Sequence, residues 1–256
     1  MEMLHDFFQF LFNVKLLEDY GWRILLGVGM TLKVMIVSCS IGFVLGYFVC
    51  LARMSKSVFL SFPALCYITF FRGTPLLCQL YIIYYGAGEV RPFLSDIGLW
   101  TFFRDSYFCC VLGFTMNTSA YQAEIFRGAL ASVPRGQTEA AKSLGLSRFH
   151  TEIFIVIPQA LLIALRPLGN ELVSMIKASA LAAYVTLLDL LGQTRFIFGR
   201  TFDFSVYLYA ALIYLSVVEV IRRVWVVLEA RLSRHLKRRE ESADQKAVGV
   251  AEPLPH

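Results

Sequence analysis

Charged residues are scarce in this sequence. Only 17% of its 256 residues are charged, whereas 57% are hydrophobic. The hydrophobic residues come in long runs, and a chain this apolar cannot cover its core in the way that a soluble domain does. The sequence therefore predicts an all-α membrane protein that crosses the bilayer several times.

The sequence also lacks the motifs of nucleotide-binding and metal-binding sites. No glycine-rich phosphate loop of the GxxxxGK[ST] type occurs, so the chain is not expected to bind or hydrolyse ATP. Its six cysteines lie inside apolar runs without a CxxC pair, and its four histidines are scattered. The neighbours Cys109 and Cys110 would point in different directions on a helix. We expect small buried cysteines, no metal and no cofactor.

Basic residues lie beside the apolar runs and do not form a face that could read nucleic acid, although the formal net charge is +5. By the positive-inside rule they indicate topology instead. The rule predicts that two segments are cytoplasmic. One is the loop with Arg127, Arg135, Lys142 and Arg148, and the other is the basic stretch that begins at Arg222. The N-terminus is acidic and lacks the basic leader of a cleavable signal peptide, so none is expected.

Composition divides the chain into three parts. Residues 1–20 alternate aromatic and charged groups and are expected to form a periplasmic interfacial segment. Residues 21–232 form the expected transmembrane domain, and residues 233–256 are expected to be a disordered cytoplasmic tail. The N-terminus is then periplasmic and the C-terminus cytoplasmic. Five crossings are predicted, at residues 24–51, 59–85, 108–127, 153–177 and 206–228.

Glycines and prolines mark special points in these crossings. Gly42 and Gly46 form a GxxxG pair that is expected to contact another helix. The second crossing is expected to break near residues 72–75, and the fourth to be broken by Pro158 and Pro167. Three connections are predicted: a mixed-charge loop at 86–105, a short apolar return segment at 178–191, and a polar turn on the outer side at 192–204.

A polar stretch at residues 136–158 interrupts the apolar runs. Good helix formers at 137–144 predict a short helix, Gly145 can end it in the left-handed conformation, and Ser147 can cap the next helix. The first helix would carry a small apolar patch of Ala140, Ala141 and Leu144. Such a patch suits a shallow groove on a soluble partner. From the physics alone, an ordinary cytoplasmic loop is an equally open reading.

The same stretch resembles the EAA loop of importer-type ABC transporter permeases. The matching residues are Glu139, Ala140, Ala141, Gly145, Ile155, Ile157 and Pro158, with Ile157 in place of the usual Leu. Other phrases resemble the polar amino acid branch, and the last two resemble its M-type permease of histidine, basic amino acid and opine systems. These phrases are FRGTPL at 71–76, AEIFRGA at 123–129, NE at 170–171 and SALA at 179–182.

The resemblance implies a type I ABC importer permease fold with five transmembrane helices and a cytoplasmic coupling helix, within a coupling loop at residues 132–150. Glu139, Ala140, Ala141 and Gly145 would then couple the chain to an ATP-binding cassette subunit, which would hydrolyse the ATP. The resemblance also implies a second permease subunit, with which the chain would form a heterodimer. The other implied partners are a periplasmic substrate-binding protein and the lipid of a bacterial inner membrane. No nucleic acid partner is implied.

Polar residues in the third and fourth crossings predict a substrate pathway. A charge at the centre of a membrane helix costs roughly 2.5 to 3.5 kcal/mol, so Arg166, Glu171 and Lys177 are expected to face protein or water. Arg166, Asn170, Ser174 and Lys177 follow one another at helical spacing along one stripe, with Glu171 beside it. Glu171 could pair with either base or with a bound cation.

The third crossing would complete the cavity. Asn117 lies near its middle, and Tyr121 and Glu124 follow on the same helix face. Glu171 is the candidate for binding a cationic group, with hydrogen bonds from Asn117 and Asn170. The candidate pathway residues are Glu171, Asn170, Asn117, Thr118, Tyr121 and Ser174. The same residues could instead hold helices together. A separate prediction is a structural pair between Glu124 and Arg127.

Three possible functions make different demands on the sequence. A permease for basic amino acids or opines fits the acidic Glu171 and the M-type resemblance, although neutral or acidic amino acids remain open because the binding protein selects first. An intramembrane hydrolase would need a nucleophile and base at membrane depth, and no such arrangement occurs. An ion channel or a gradient-driven secondary carrier would leave the polar stretch at 136–158 without a role.

Overall fold

The computed structural model describes residues 14–233, and regular structure within this range is helical. The first helix, α1 (Val14–Arg53), begins earlier than the predicted first crossing, so residues 14–20 belong to the same helix as that crossing. The rest of the predicted interfacial segment, and the tail after residue 233, lie outside the described residues.

Helix α1 packs along α6 (Ser106–Ala131), which contains the predicted third crossing. A Cβ atom on Gly46 would lie 2.9 Å from the Ser119 carbonyl oxygen, and one on Gly42 would lie 2.5 Å from the Thr118 methyl group. Real Cβ atoms do not approach so closely, so glycine is needed at both positions. The predicted helix contact of the GxxxG pair is confirmed, and α6 is its partner.

The predicted break in the second crossing is also confirmed. Helix α2 (Val58–Gly73) ends before Thr74, and α3 (Leu76–Glu89) begins after Pro75. Thr74 closes α2 by donating from its backbone N and its hydroxyl to the Phe70 carbonyl. The residue before a proline favours extended backbone, and Thr74 adopts it with ψ 147°.

The connection between the second and third predicted crossings is more ordered than a loop. Two short helices, α4 (Arg91–Asp96) and α5 (Trp100–Phe103), occupy half of the region predicted to be a loop at 86–105, and the end of α3 occupies residues 86–89. The Arg91 guanidinium lies over the Trp100 ring, 5.1 Å from its centre, and this contact links the two helices. The loop prediction was wrong here because mixed charge does not reveal such a local contact.

The fourth crossing is continuous, contrary to the predicted breaks. Helix α7 (Arg135–Ser143) and α8 (Arg148–Thr151) lead into a π-helical segment (Glu152–Val156) and then α9 (Ile157–Ala178). Pro158 lies in the first turn of α9, where a missing N–H is tolerated. Pro167 lies inside α9 without ending it, as membrane helices allow when neighbouring groups satisfy the freed carbonyl.

After α9 the chain turns back through a 3-10 segment (Ser179–Val185), which ends at Thr186 in the left-handed conformation (φ 63°). Helix α10 (Leu190–Thr201) follows, so the predicted polar turn at 192–204 is wrong. The sequence signal for this helix is its N-cap, Asp189, which the prediction missed. The Asp189 carboxylate accepts a 2.8 Å hydrogen bond from the Gly192 backbone N. The last helix is α11 (Ser205–Leu232).

The surface of the described residues is strongly apolar. Phe59 is 92% exposed and Trp22 is 72% exposed. Two helical stretches, Lys15–Arg53 and Arg148–Val185, are long and apolar enough to cross a membrane by length and composition. Cys50, Cys109 and Cys110 are buried as expected, but Cys66 and Cys78 are exposed on α2 and α3, which corrects the prediction for those two.

Candidate functional site

The polar stretch at 136–158 forms the predicted helix, turn and helix. Gly145 has φ +75°, the left-handed conformation that other residues adopt only with strain. Its N–H donates to the Lys142 carbonyl, and the Leu146 N–H donates to the Ala141 carbonyl, so the turn closes the end of α7. The Ser147 hydroxyl accepts from the His150 N–H and caps α8.

The apolar patch of this stretch differs from the prediction. Ala141 is 1% exposed and packs inward, so it is not part of an outer patch with Ala140 and Leu144, which are exposed. Leu144 is 81% exposed, and Phe149 and Phe154 are each 69% exposed. Glu139 is also exposed, on the same short helix. Large uncovered side chains in a polar segment are typical of a protein interface.

Glu171 lies in the middle of α9 and is largely buried against α6. Its Oε1 accepts a 3.1 Å hydrogen bond from the Thr118 hydroxyl. That hydroxyl in turn accepts from the Gln122 side-chain nitrogen at 3.1 Å. Thr118 and Glu171 were both predicted pathway residues, and the structure brings them together. Gln122 was missed, although its position four residues after Thr118 places the two on one helix face.

The Asn117 side chain is buried and bonds to residues on both sides of the break between α2 and α3. Its side chain is 6% exposed and donates to the Phe71 carbonyl and to the Gln79 Oε1, each at 3.0 Å. Gln79 donates to the Phe71 carbonyl and to the Thr74 hydroxyl. These bonds satisfy backbone groups freed at the break between α2 and α3. Asn117 makes no direct bond with Glu171 in the described residues.

Tyr121 lies one turn beyond Asn117 on α6 and contacts Arg72 at the end of α2. The Arg72 guanidinium is 5.2 Å from the centre of the Tyr121 ring, within the range of a cation-π interaction. On the same helix Arg127 makes a 2.8 Å ion pair with Glu124, as predicted for a structural pair. This part of α6 therefore carries charge that is already paired or stacked.

The predicted polar stripe of α9 is exposed along its length. Arg166, Asn170, Ser174 and Lys177 all lie on the uncovered face. Arg166 pairs with Glu229 of α11 at 3.3 Å, so of the three partners considered for Glu171 it is not Arg166 that pairs with it. A cavity of about 720 Å³ lies between α9 and α11 beside this stripe, lined by Arg166, Asn170, Ser174 and Trp225 among others.

The two groups of pathway residues are adjacent but distinct. Glu171 lies on the inner side of α9, where it meets Thr118 of α6, while Asn170 and Ser174 lie on the exposed face of α9, where the Ser174 hydroxyl donates to the Asn170 carbonyl. Trp225 holds α11 close by donating to the Leu165 carbonyl at 2.8 Å. Within residues 14–233 no cluster of His, Cys, Asp and Glu has the arrangement of a metal site.

Known proteins resemble the chain over nearly its whole length. It is 37% identical to the nopaline transport system permease protein NocM of Agrobacterium fabrum over 237 residues, which is 92% of this chain and 98% of the relative. It is also 37% identical over 238 residues to the histidine/lysine/arginine/ornithine transport system permease protein HisM of Escherichia coli, covering 93% of this chain and 98% of the relative.

Solved structures show the same architecture. The chain superposes on a chain from the crystal structure of an amino acid ABC transporter with histidines, with a TM-score of 0.74, 33% identity, and 84% and 96% of the two chains covered. An inward-facing structure of the MetNI methionine ABC transporter shares the fold at 21% identity, with a TM-score of 0.70, 85% of this chain and 99% of that chain covered.

The predicted type I importer permease fold is therefore confirmed, as is the prediction that the chain is a transport permease and not an enzyme. The family model described as a binding-protein-dependent transport system inner membrane component matches residues 21–234. The chain belongs to this family of inner membrane components of ABC transporters.

Proposed function

We propose that this chain is the permease subunit of an ATP-driven importer that carries basic amino acids or opines across a bacterial inner membrane. The observation that carries the proposal is Glu171, a carboxylate held at the middle of a membrane helix by the Thr118 hydroxyl. A carboxylate at that depth is costly and is a candidate functional group by default. Relatives named for nopaline and for histidine, lysine, arginine and ornithine support the substrate class.

Glu171 suits the positive group of such substrates. Among the described residues it makes no ion pair, and the basic side chain that acts on it electrostatically is Arg72, whose guanidinium stacks on Tyr121. A guanidinium or ammonium group brought to Glu171 would restore an ion pair in a low-dielectric site, where charge-assisted hydrogen bonds are strong. Asn170 and Ser174 on the neighbouring face would contact the remaining polar groups of the substrate.

The exposed stripe of α9 supports a second permease subunit. Arg166 and Lys177 cannot face lipid without a large cost, yet both are uncovered in the single chain. A partner permease packed opposite α9 would enclose the stripe and the cavity beside α11 within a water-filled pathway. We infer a heterodimer, in line with the M-type resemblance, and a periplasmic binding protein that delivers the substrate from outside.

The coupling segment, which we define as residues 132–150 with Glu139, Ala140 and Gly145, would bind the ATP-binding cassette subunit on the cytoplasmic side. Its exposed Leu144 and Phe149 supply the apolar area for docking. The π-helical segment follows α8 and continues directly into α9, so a movement of α7 would pass through the Gly145 turn and α8 to the helix that carries Glu171. ATP-driven closure of the ATPase subunits would in this way turn the pathway between its inward and outward states.

Uptake by the reconstituted transporter tests the substrate class. The chain, its partner permease, its ATPase and its binding protein are placed in proteoliposomes, and uptake of labelled arginine, histidine, octopine, leucine and glutamate is measured with and without ATP. We expect ATP-dependent uptake of the basic amino acids or the opine, and little uptake of leucine and glutamate. Uptake of leucine or glutamate above that of every basic substrate would contradict the proposal, and uptake without ATP would indicate a secondary carrier.

A further inference from the structure

We propose that a cavity at the cytoplasmic ends of α1 and α6 binds an anionic phospholipid, with the phosphate at a basic rim and an acyl chain along an apolar wall. The cavity holds about 1060 Å³ and is separate from the cavity beside Glu229. This inference rests on the proposed orientation, in which α7 and α8 lie on the cytoplasmic side, where anionic lipid is recognised by basic side chains.

Segments far apart in sequence form the rim. Lys56 follows the end of α1, Arg135 begins α7 and Arg148 begins α8, and all three line the cavity. None of them makes an ion pair or a side-chain hydrogen bond within residues 14–233. Glu152 is the carboxylate among the lining residues, so the rim carries an excess of positive charge. Unpaired bases that converge on one cavity are suited to a phosphate group.

The wall of the cavity is apolar on the side of the membrane. Tyr47 and Leu51 of α1, Leu130 of α6 and Val156 of the π-helical segment line it. A free anion would need only the charged rim, whereas a lipid also needs a surface for its hydrocarbon chains. The wall supplies that surface, because aliphatic chains bury favourably against it.

The cavity is also continuous with surface that faces hydrocarbon. Leu60 of α2 lines the cavity, and in the preceding turn Val58 is 71% exposed and Phe59 is 92% exposed. Large apolar side chains this exposed on a membrane protein contact lipid. A phospholipid could therefore enter from the bilayer with its chains on α2 and its head group at Lys56 and Arg148.

Bound lipid can be counted directly on the intact transporter. The complex is reconstituted in nanodiscs with equal amounts of phosphatidylglycerol and phosphatidylcholine, extracted in mild detergent and examined by native mass spectrometry. We expect phosphatidylglycerol to remain bound in preference to phosphatidylcholine. The variant K56Q/R148Q should retain at least fivefold less of it. The control K142Q/R231Q, which removes equal charge from exposed positions outside the cavity, should retain it.

The other outcomes each overturn the inference. Equal retention in both double variants would mean that the cavity does not select the lipid. If inorganic phosphate binds at this cavity and no phospholipid is retained, the ligand of the cavity is a free anion and not a lipid. Loss of the ATPase subunit from K56Q/R148Q with unchanged lipid would show that a protein covers the rim. A K56Q/R148Q complex that still imports arginine but retains no less lipid would refute the lipid site alone and leave the proposed transport function intact.

Discussion

Replacing Glu171 with Gln is expected to lower ATP-dependent uptake of arginine about tenfold or more. The variant keeps the shape of the side chain and an oxygen that can accept from Thr118, but it removes the negative charge offered to the substrate. Hydrogen bonds to charged groups contribute about 1.5 to 3 kcal/mol, and 1.4 kcal/mol corresponds to a factor of ten in binding. The measurement is the initial rate of uptake over a range of arginine concentrations in proteoliposomes.

The matched control is Glu89→Gln, which makes the same chemical change at an exposed position at the outer end of α3. Its uptake should equal that of the unmodified transporter. ATPase activity without substrate should be similar in both variants, because Glu171 lies away from the coupling segment. Unchanged arginine and histidine uptake by Glu171→Gln would remove this residue from the pathway.

Replacing Gly145 with Asp is expected to abolish transport and to release the ATPase subunit during purification. Gly145 has φ +75°, and a side chain in this conformation costs roughly 1 to 2 kcal/mol. The new carboxylate would also lie at the C-terminal end of α7, where the helix dipole disfavours negative charge. The amount of ATPase that copurifies with the tagged permease measures the effect directly.

Gly136→Ala provides a control at the start of α7, since Gly136 has no heavy atom near the position of an added Cβ. It should copurify with the ATPase as the unmodified chain does. Glu139→Lys, which reverses an exposed charge without straining the backbone, should weaken the association to a smaller extent. Full retention of the ATPase by both Gly145→Asp and Glu139→Lys would exclude this segment as its docking site.

Local chemistry accounts for the parts of the fold that the sequence predicted well. Pro75 and its neighbours encode the break between α2 and α3 within four residues. Gly145 and Ser147 likewise encode the turn of the coupling segment, since a left-handed residue and a cap act on their own backbone. The paired small residues Gly42 and Gly46 predicted a close contact, although not which helix would make it.

Features set by distant contacts could not be read in this way. The hydrogen-bond partners of Asn117 are Phe71 of α2 and Gln79 of α3, so this predicted pathway residue stabilises the break between those two helices. Arg166 pairs with Glu229, which lies more than sixty positions later. Pro158 does not break the fourth crossing because it lies in the first turn of α9, directly after a π-helical segment that no residue in Glu152–Val156 predicts.

The side of the membrane on which the coupling segment lies can be measured by cysteine labelling. All six native cysteines are replaced, and one cysteine is introduced as Gln137→Cys on the exposed face of α7 or, as the outer control, Asp96→Cys at the end of α4. A membrane-impermeant maleimide is added to intact cells and to inside-out vesicles. We expect position 137 to react only in inside-out vesicles and position 96 only in intact cells. Reaction of position 137 in intact cells would place α7 where no ATPase can bind it and would contradict the account.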